Sequence, residues 1–357
     1  MSKIVYVSTD YGNRNTAASK APRDIEKILD DEGALKCTVK KIYSHGILSR
    51  IHADYIFKCI RSAADWKKVV NTLEYGDILF AQTPIQMAHV AIKYIKKAGE
   101  KAKTAVIIHD LETLRNGVYK NSYNESRSSF AENTLLKEFD FVICHNHKMK
   151  KYLADMGIVP ERLISLGIFD YLCEDNLKTR HNNGSIVIAG NLSFDKSEYI
   201  YKFSKICKDV TLRLYGPNCM VEELGENTHY MGQCAPEEIP RVIDGAFGLV
   251  WDGNDISTCA GNTGNYLKYN NPHKLSLYIA ANMPVIVWSE SAMADYVREH
   301  NIGICVDNLD MAQEMAAHMN EQQYEIMAAN VKKEGEKLRQ GCYMRTVIDK
   351  ISLPQCK

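Results

Sequence analysis

Charge of one sign is what this sequence most plainly lacks. Across 357 residues, 44 lysines and arginines offset 44 aspartates and glutamates. That balance argues against a broad nucleic-acid-binding face, though it leaves room for a local basic patch. Also missing is any apolar run long enough to cross a bilayer. The opening "MSKIVYVSTD" meets a polar turn too early for a secretory leader or a membrane span, so the expectation is a soluble, cytoplasmic protein with at most peripheral membrane contact. Nor is there a disulfide framework. The eleven cysteines are scattered, often inside apolar runs, and read as reduced thiols of a cytosolic enzyme. Cys144, His145 and His147 have no second cluster at a spacing that closes a tetrahedral site. No bound metal is therefore expected, and these histidines are expected to end a strand facing a cleft.

What the chain does have is alternation. Strands are expected at Ile4–Ser8, Cys37–Ile42, Asp77–Gln82, Thr104–His109 and Phe141–His145, with helices at Ala17–Leu29, Ile85–Ala98 and Lys148–Met156 between them. A polar, turn-rich stretch around Asn182-Asn183-Gly184 fits a domain boundary. A second series then places strands at Ser185–Ala189, Thr211–Tyr215, Thr228–Met231, Phe247–Trp251, Pro284–Trp288 and Gly303–Val306. Its helices are expected at Pro236–Ile243, Pro272–Ala281, Met293–His300, Met311–Met319 and Gln322–Gln340. Such alternation means βαβ units, parallel sheets and an α/β class. Two doubly wound domains in tandem imply a ligand cleft at the carboxyl ends of their strands, so function is sought in the loops there.

Several of those loops carry chemistry. After the first strand, "STDYGNRNTAAS" offers Gly12 and either Asn15 or Thr16 for a phosphate or sugar contact, although an ordinary N-cap and turn explains the pattern better. The strand "AVIIHDLETLRNG" ends in His109, Asp110 and Glu112, where a carboxylate beside a histidine suits a general base or a sugar-hydroxyl ligand. Capping by Asp110 with a packed His109 is the competing explanation. In "IVIAGNLSFDKSEYIY", Gly190 permits close backbone approach and Lys196 can reach an anion. Gly232 and Gln233 in "HYMGQCAPEEIP" offer backbone amides to a planar base. The long glycine-dotted loop after Trp251-Asp252-Gly253 suits hydroxyl recognition.

The segment "YNNPHKLSLYIAANMPVIVW" holds a local conflict. Asn271 reads as an N-cap and Pro272 as the first helical residue, yet Lys274 puts a cation in a first turn that already carries partial positive charge. A bound anion, held by Lys274 and the free amides after Asn271, would resolve it. A solvated lysine tolerated at small cost is the alternative.

The blocks "IHDLETLRNG", "HNHKMKKYLADMG", "AGNLSFDKSEYIY", "FGLVWDGNDISTCAG" and "GNYLKYNNPHKLSLYIAANMPVIVW" resemble, in order along nearly the whole chain, the bacterial β-1,6-galactofuranosyltransferases of O-antigen assembly. More distantly they resemble the glucosyltransferases that extend GlcNAc on serine-rich repeat adhesins. The resemblance implies a GT-B fold of two Rossmann-like domains facing a central cleft. Residues 1–170 would form an acceptor domain and 171–335 a nucleotide-sugar domain, with a final helix, about 336–357, packing back on the first. It also implies an inverting transfer of galactofuranose from UDP-galactofuranose, in β-1,6 linkage to a glucosyl residue. No cofactor or metal would be required. The acceptor would be a lipid-linked oligosaccharide at the inner membrane face, and a homo-oligomer is among the expectations.

Carried over by position, the UDP contacts fall on Thr16, Lys196, Gly232 and the run Pro272, His273, Lys274, Leu275, Ser276 and Leu277. Lys196 matches the galactofuranosyltransferase pattern but needs a gap against the glucosyltransferases. Gly232 stands where the latter carry a bulkier residue, so there only a backbone contact carries over. Asp110 is favoured over Glu112 as base. A UDP-glucose-dependent glucosyltransferase, a UDP-sugar epimerase and a non-enzymatic sugar-binding protein are the competing functions.

Overall fold

The computed structural model describes residues 2–9, 17–40, 52–115 and 130–353. They fall into two units: residues 1–14, 22–166 and 344–357 form one, and residues 15–21 and 167–343 the other.

The first unit holds β1 (Ile4–Thr9), β2 (Leu35–Val39), β3 (Ile78–Gln82), β4 (Lys103–Ile107), β5 (Phe141–Cys144) and β6 (Leu163–Ser165). These form one sheet in the order β2-β1-β3-β4-β5-β6, parallel throughout. Strands β3 and β5 are buried along their whole length, as befits central strands of a parallel sheet, which read as continuous apolar runs. The edge strand β2 is mostly exposed, which is why its apolar pattern is weak; it starts two residues before the expected Cys37 and stops at Val39. Sequence pattern did not reveal β6 or the 21-residue helix His52–Thr72.

The second unit repeats the scheme with β7 (Ser185–Ala189), β8 (Thr211–Tyr215), β9 (Thr228–Tyr230), β10 (Phe247–Val250), β11 (Val285–Trp288) and β12 (Gly303–Val306). All pairs are parallel, in the order β12-β11-β10-β7-β8-β9. The sheet is wound outward from its middle. β7 connects to β8 on one side, and the chain then returns to β10 on the other. Such a reversal opens a crevice beyond the carboxyl ends of the two central strands.

Two packing devices hold the helices to this sheet. Gly248 in β10 lies under the Tyr278 ring, so close that a Cβ there would fall 2.2 Å from the ring. Tyr278 Oη in turn accepts the Ala189 amide hydrogen at the end of β7, 2.7 Å away. Arg180, in the stretch expected to be a loose boundary, is buried. It donates to the Ala281 carbonyl at 3.0 and 2.9 Å and to the Ile243 carbonyl at 2.8 Å. A buried guanidinium needs such partners, and here they tie two helix ends together. The expected helix at Pro236–Ile243 shortens to Ile239–Val242, and the long loop after β10 contains a short helix, Gly261–Tyr266, that was not expected.

Candidate functional site

Strands β7, β8, β9 and β10 all end in glycine turns. Gly190 follows β7 with φ 147°, Gly216 follows β8 with φ 143°, Gly232 follows β9 with φ 88°, and Gly253 follows β10 with φ 108°. Each lies in the region that side chains disfavour. At Gly216 the space is closed as well: a Cβ would sit 1.8 Å from the Gly190 carbonyl oxygen. The turns are stitched by hydrogen bonds from Gly190 N to Tyr215 O at 2.9 Å and from Gly216 N to Gly232 O at 2.9 Å. The carboxyl edge of this sheet is therefore a shelf of bare backbone, able to approach a flat or highly charged ligand closely. Gly190 and Gly232 were expected here; Gly216 was not.

The helix His273–Ala280 starts beside the crevice between β7 and β10. Its start differs from expectation. Pro272 itself occupies the N-cap position, with φ −67° and ψ 128° and no side-chain cap. The Asn271 side chain instead donates to the Gly167 carbonyl at 2.9 Å. A proline before the first helical residue already fixes an extended entry, so the helix forms without an Asn cap. The amides of His273 and Lys274, at the very start, have no carbonyl one turn earlier to bond and carry the positive end of the helix dipole.

Lys274 is not solvated. Its Nζ donates to the Trp251 carbonyl at 2.8 Å and to Asp252 Oδ1 at 3.0 Å, and both side chains of the ion pair are less than a fifth exposed. The cation thus stands at the carboxyl end of β10, within the crevice that the winding defines. Leu275, Ser276 and Leu277 are buried, so their side chains support the helix rather than line an open face.

His273 packs against Tyr171, with ring centroids 5.0 Å apart, and edge-on to Phe169 at 6.2 Å. Its Nε2 is buried without a partner among the described residues. Burial, and then the charge of Lys20, push its pKa down to about 3, against an opposing hydrogen bond to the Asp170 backbone. The ring is thus neutral at physiological pH. Lys196 lies in the exposed first turn of the helix Phe194–Ile206. Thr16 lies outside the described residues, as do Gly12 and Asn15.

In the first unit the carboxyl end of β4 brings the other candidates together. His109 Nε2 lies 2.7 Å from Gln82 Oε1 at the end of β3, and the His109 amide donates to Thr83 Oγ1 at 3.0 Å. Asp110, two residues before the short helix Glu112–Arg115, accepts from Arg115 Nη1 at 2.7 Å. Glu112 lies 4.0 Å from the same guanidinium nitrogen. A further carboxylate, Glu132, is buried beside them, bonded to the Thr113 hydroxyl and amide, with its pKa raised by burial. Nothing in its sequence surroundings marks it.

His145 does not face a cleft as expected. It is buried, with Nε2 3.1 Å from the Ile108 carbonyl oxygen, and burial pushes its pKa down to about 4. Asn146, not a histidine, makes the next helix start, accepting from the amides of Lys148 and Met149 at 2.9 and 3.0 Å. Among the described residues, no three His, Cys, Asp or Glu side chains group as a metal site. Of the ten described cysteines, all free, only Cys144, Cys207 and Cys259 are buried.

Two six-stranded parallel sheets, one with a glycine shelf and a helix start at its switch point, form a GT-B fold. Solved structures of that fold superpose along nearly the whole chain. The lipopolysaccharide outer core galactosyltransferase WaaB matches with a TM-score of 0.65 at 10% identity, covering 98% of this chain and 99% of its own. Anabaena HepE in complex with UDP and glucose matches with a TM-score of 0.58 at 13% identity, covering 99% and 100%.

The chain belongs to the glucosyltransferase 3-like family: its N-terminal domain profile matches residues 4–168 and its C-terminal domain profile residues 186–351. Among curated relatives, the β-1,6-galactofuranosyltransferase WbbI of Escherichia coli K12 is 32% identical over 285 residues, 78% of this chain and 80% of WbbI. Glucosyltransferase 3 of Streptococcus gordonii is 24% identical over 287 residues, again 78% and 80%.

Proposed function

We propose that this glycosyltransferase moves galactofuranose from UDP-galactofuranose to a sugar hydroxyl, in β-1,6 linkage to a glucosyl residue of a lipid-linked surface glycan. The observation that carries this reading is the 32% identity to WbbI over 78% of the chain. In this scheme the diphosphate rests on the amides of His273 and Lys274, with Lys274 and Lys196 supplying cationic charge. Gly190 and Gly232 admit the nucleotide to the shelf. Asp110 takes the proton from the acceptor hydroxyl. The new C–O bond forms as the bond from the anomeric carbon to the phosphate oxygen breaks, and UDP leaves with the bonding pair. The helix dipole and lysines lower the cost of that departing charge.

The family match favours a second reading, with UDP-glucose as donor and a GlcNAc-modified glycoprotein as acceptor. Incubating the enzyme with each donor and synthetic glucoside or N-acetylglucosaminide acceptors decides between them by mass and linkage of the product. Transfer only from UDP-glucose would overturn the galactofuranose reading. A new sugar formed without acceptor would point to an epimerase instead.

A further inference from the structure

The helix His52–Thr72 packs on the first unit with one face and leaves the other bare. At the helical period of about 100° per residue, Ser62, Asp65, Trp66 and Val69 share the buried face. The opposite face begins with Ile56, Phe57 and Ile60, which are 56%, 56% and 64% exposed. The same face continues, one to three turns on, through Arg61, Lys67 and Lys68, all exposed. Arg61 and Lys67 make no ion pair among the described residues, whereas Lys68 lies 3.8 Å from Asp65 Oδ1. The adjoining helix Ala88–Gly99 adds Lys93, Lys96 and Lys97 and no acidic residue of its own, with Lys96 paired to Glu138 at 3.2 Å. The helix itself has only Asp54 and Asp65 to set against four cations, and Asp65 is buried.

A chain with no net charge has therefore gathered cations around three exposed large apolar side chains. We propose that this face docks the enzyme on an anionic phospholipid surface. The apolar end enters the headgroup boundary, and the basic end meets the lipid phosphates. An amphipathic helix lying in the interface plane binds by just this combination of apolar burial and attraction to anionic lipid. A second copy fits the face less well, because a two-fold contact centred on it would bring Arg61 and its neighbouring lysines of both copies together. The inference extends the lipid-linked acceptor proposed above, which would be met at such a surface.

The test is co-sedimentation of the full chain with vesicles of phosphatidylcholine alone and of phosphatidylcholine with phosphatidylglycerol. The variants are F57S/I60S and R61Q/K67Q, exposed positions whose change leaves the buried face intact. UDP affinity by calorimetry and mass by sedimentation velocity are measured alongside. The wild type should bind the anionic vesicles and release in high salt, and each double variant should bind about tenfold less with unchanged UDP affinity. Absence of vesicle binding, equal binding to neutral vesicles, or binding unaffected by both variants would overturn the proposal. So would variants that alter only the oligomeric mass, which would assign the face to a second copy. Failure of the wild type to bind UDP would strike the donor reading and leave the vesicle result standing.

Discussion

Lys274 Nζ lies 3.0 Å from Asp252 Oδ1 and 2.8 Å from the Trp251 carbonyl oxygen, so the cation in the first turn is held by the end of the neighbouring strand. Asp252 offsets the charge that a diphosphate would seek, and removing it raises the local positive potential. Asp252→Asn is therefore expected to tighten UDP binding about three- to tenfold, since a like charge beside an anion site weakens it. Calorimetric titration checks this. Weaker binding in the variant would mean that Asp252 chiefly positions the lysine.

The Gly190–Gly216 crossing sets a steric prediction. Gly216→Ala puts a Cβ 1.8 Å from the Gly190 carbonyl oxygen at a φ of 143°. Both turns must shift, at a cost of at least about 2 kcal/mol. Thermal or denaturant unfolding should show a clear loss of stability, with nucleotide binding impaired beyond it. Gly184→Ala, at a turn with open space around it, should lose less.

Tyr278→Phe removes the hydroxyl that accepts the Ala189 amide hydrogen and leaves the ring over Gly248 in place. A buried amide without a partner costs about 1–3 kcal/mol. Denaturant midpoints read that loss. A stability equal to wild type would show that the amide finds another partner.

Two histidines give a pH dependence. His145 is held near pKa 4 and His273 near 3, both chiefly by burial. Below the ordinary value of about 6.5 the unfolded chain binds protons that the folded chain refuses, so stability falls with falling pH by up to about 1.4 kcal/mol per unit per histidine. The loss runs from about pH 6.5 down to those depressed values. His145→Gln should flatten the curve in that window while leaving stability near pH 8 less affected. An unchanged slope would contradict the burial argument.

Much of the scaffold was legible because central parallel strands are short apolar runs with sharp turns. Ser185–Ala189, Thr211–Tyr215 and Gly303–Val306 are read from pattern to the residue. The helix His52–Thr72 was not legible, because Ile56, Phe57 and Ile60 are exposed and blur the single apolar stripe by which helices are recognised. The Gly261–Tyr266 helix hides behind its glycines. Gly264 is needed there, since a Cβ would fall 2.5 Å from the Cys259 carbonyl carbon. At the site, the residue types were visible but not their partners. Asn271 has the chemistry of a cap, yet it bonds Gly167, 104 positions away, and Asp252 reaches Lys274 across 22. Capping rules are local, and these choices are made by tertiary packing.

The central claim is that the start of the His273–Ala280 helix, with Lys274, grips the diphosphate of a UDP-sugar. Calorimetric titration of UDP into the wild type and Lys274→Ala tests it directly. The account predicts that UDP binds the wild type in preference to other nucleoside diphosphates. It also predicts that the variant, folded as judged by its melting curve, binds at least about tenfold more weakly. Equal UDP affinity in the two proteins would contradict it.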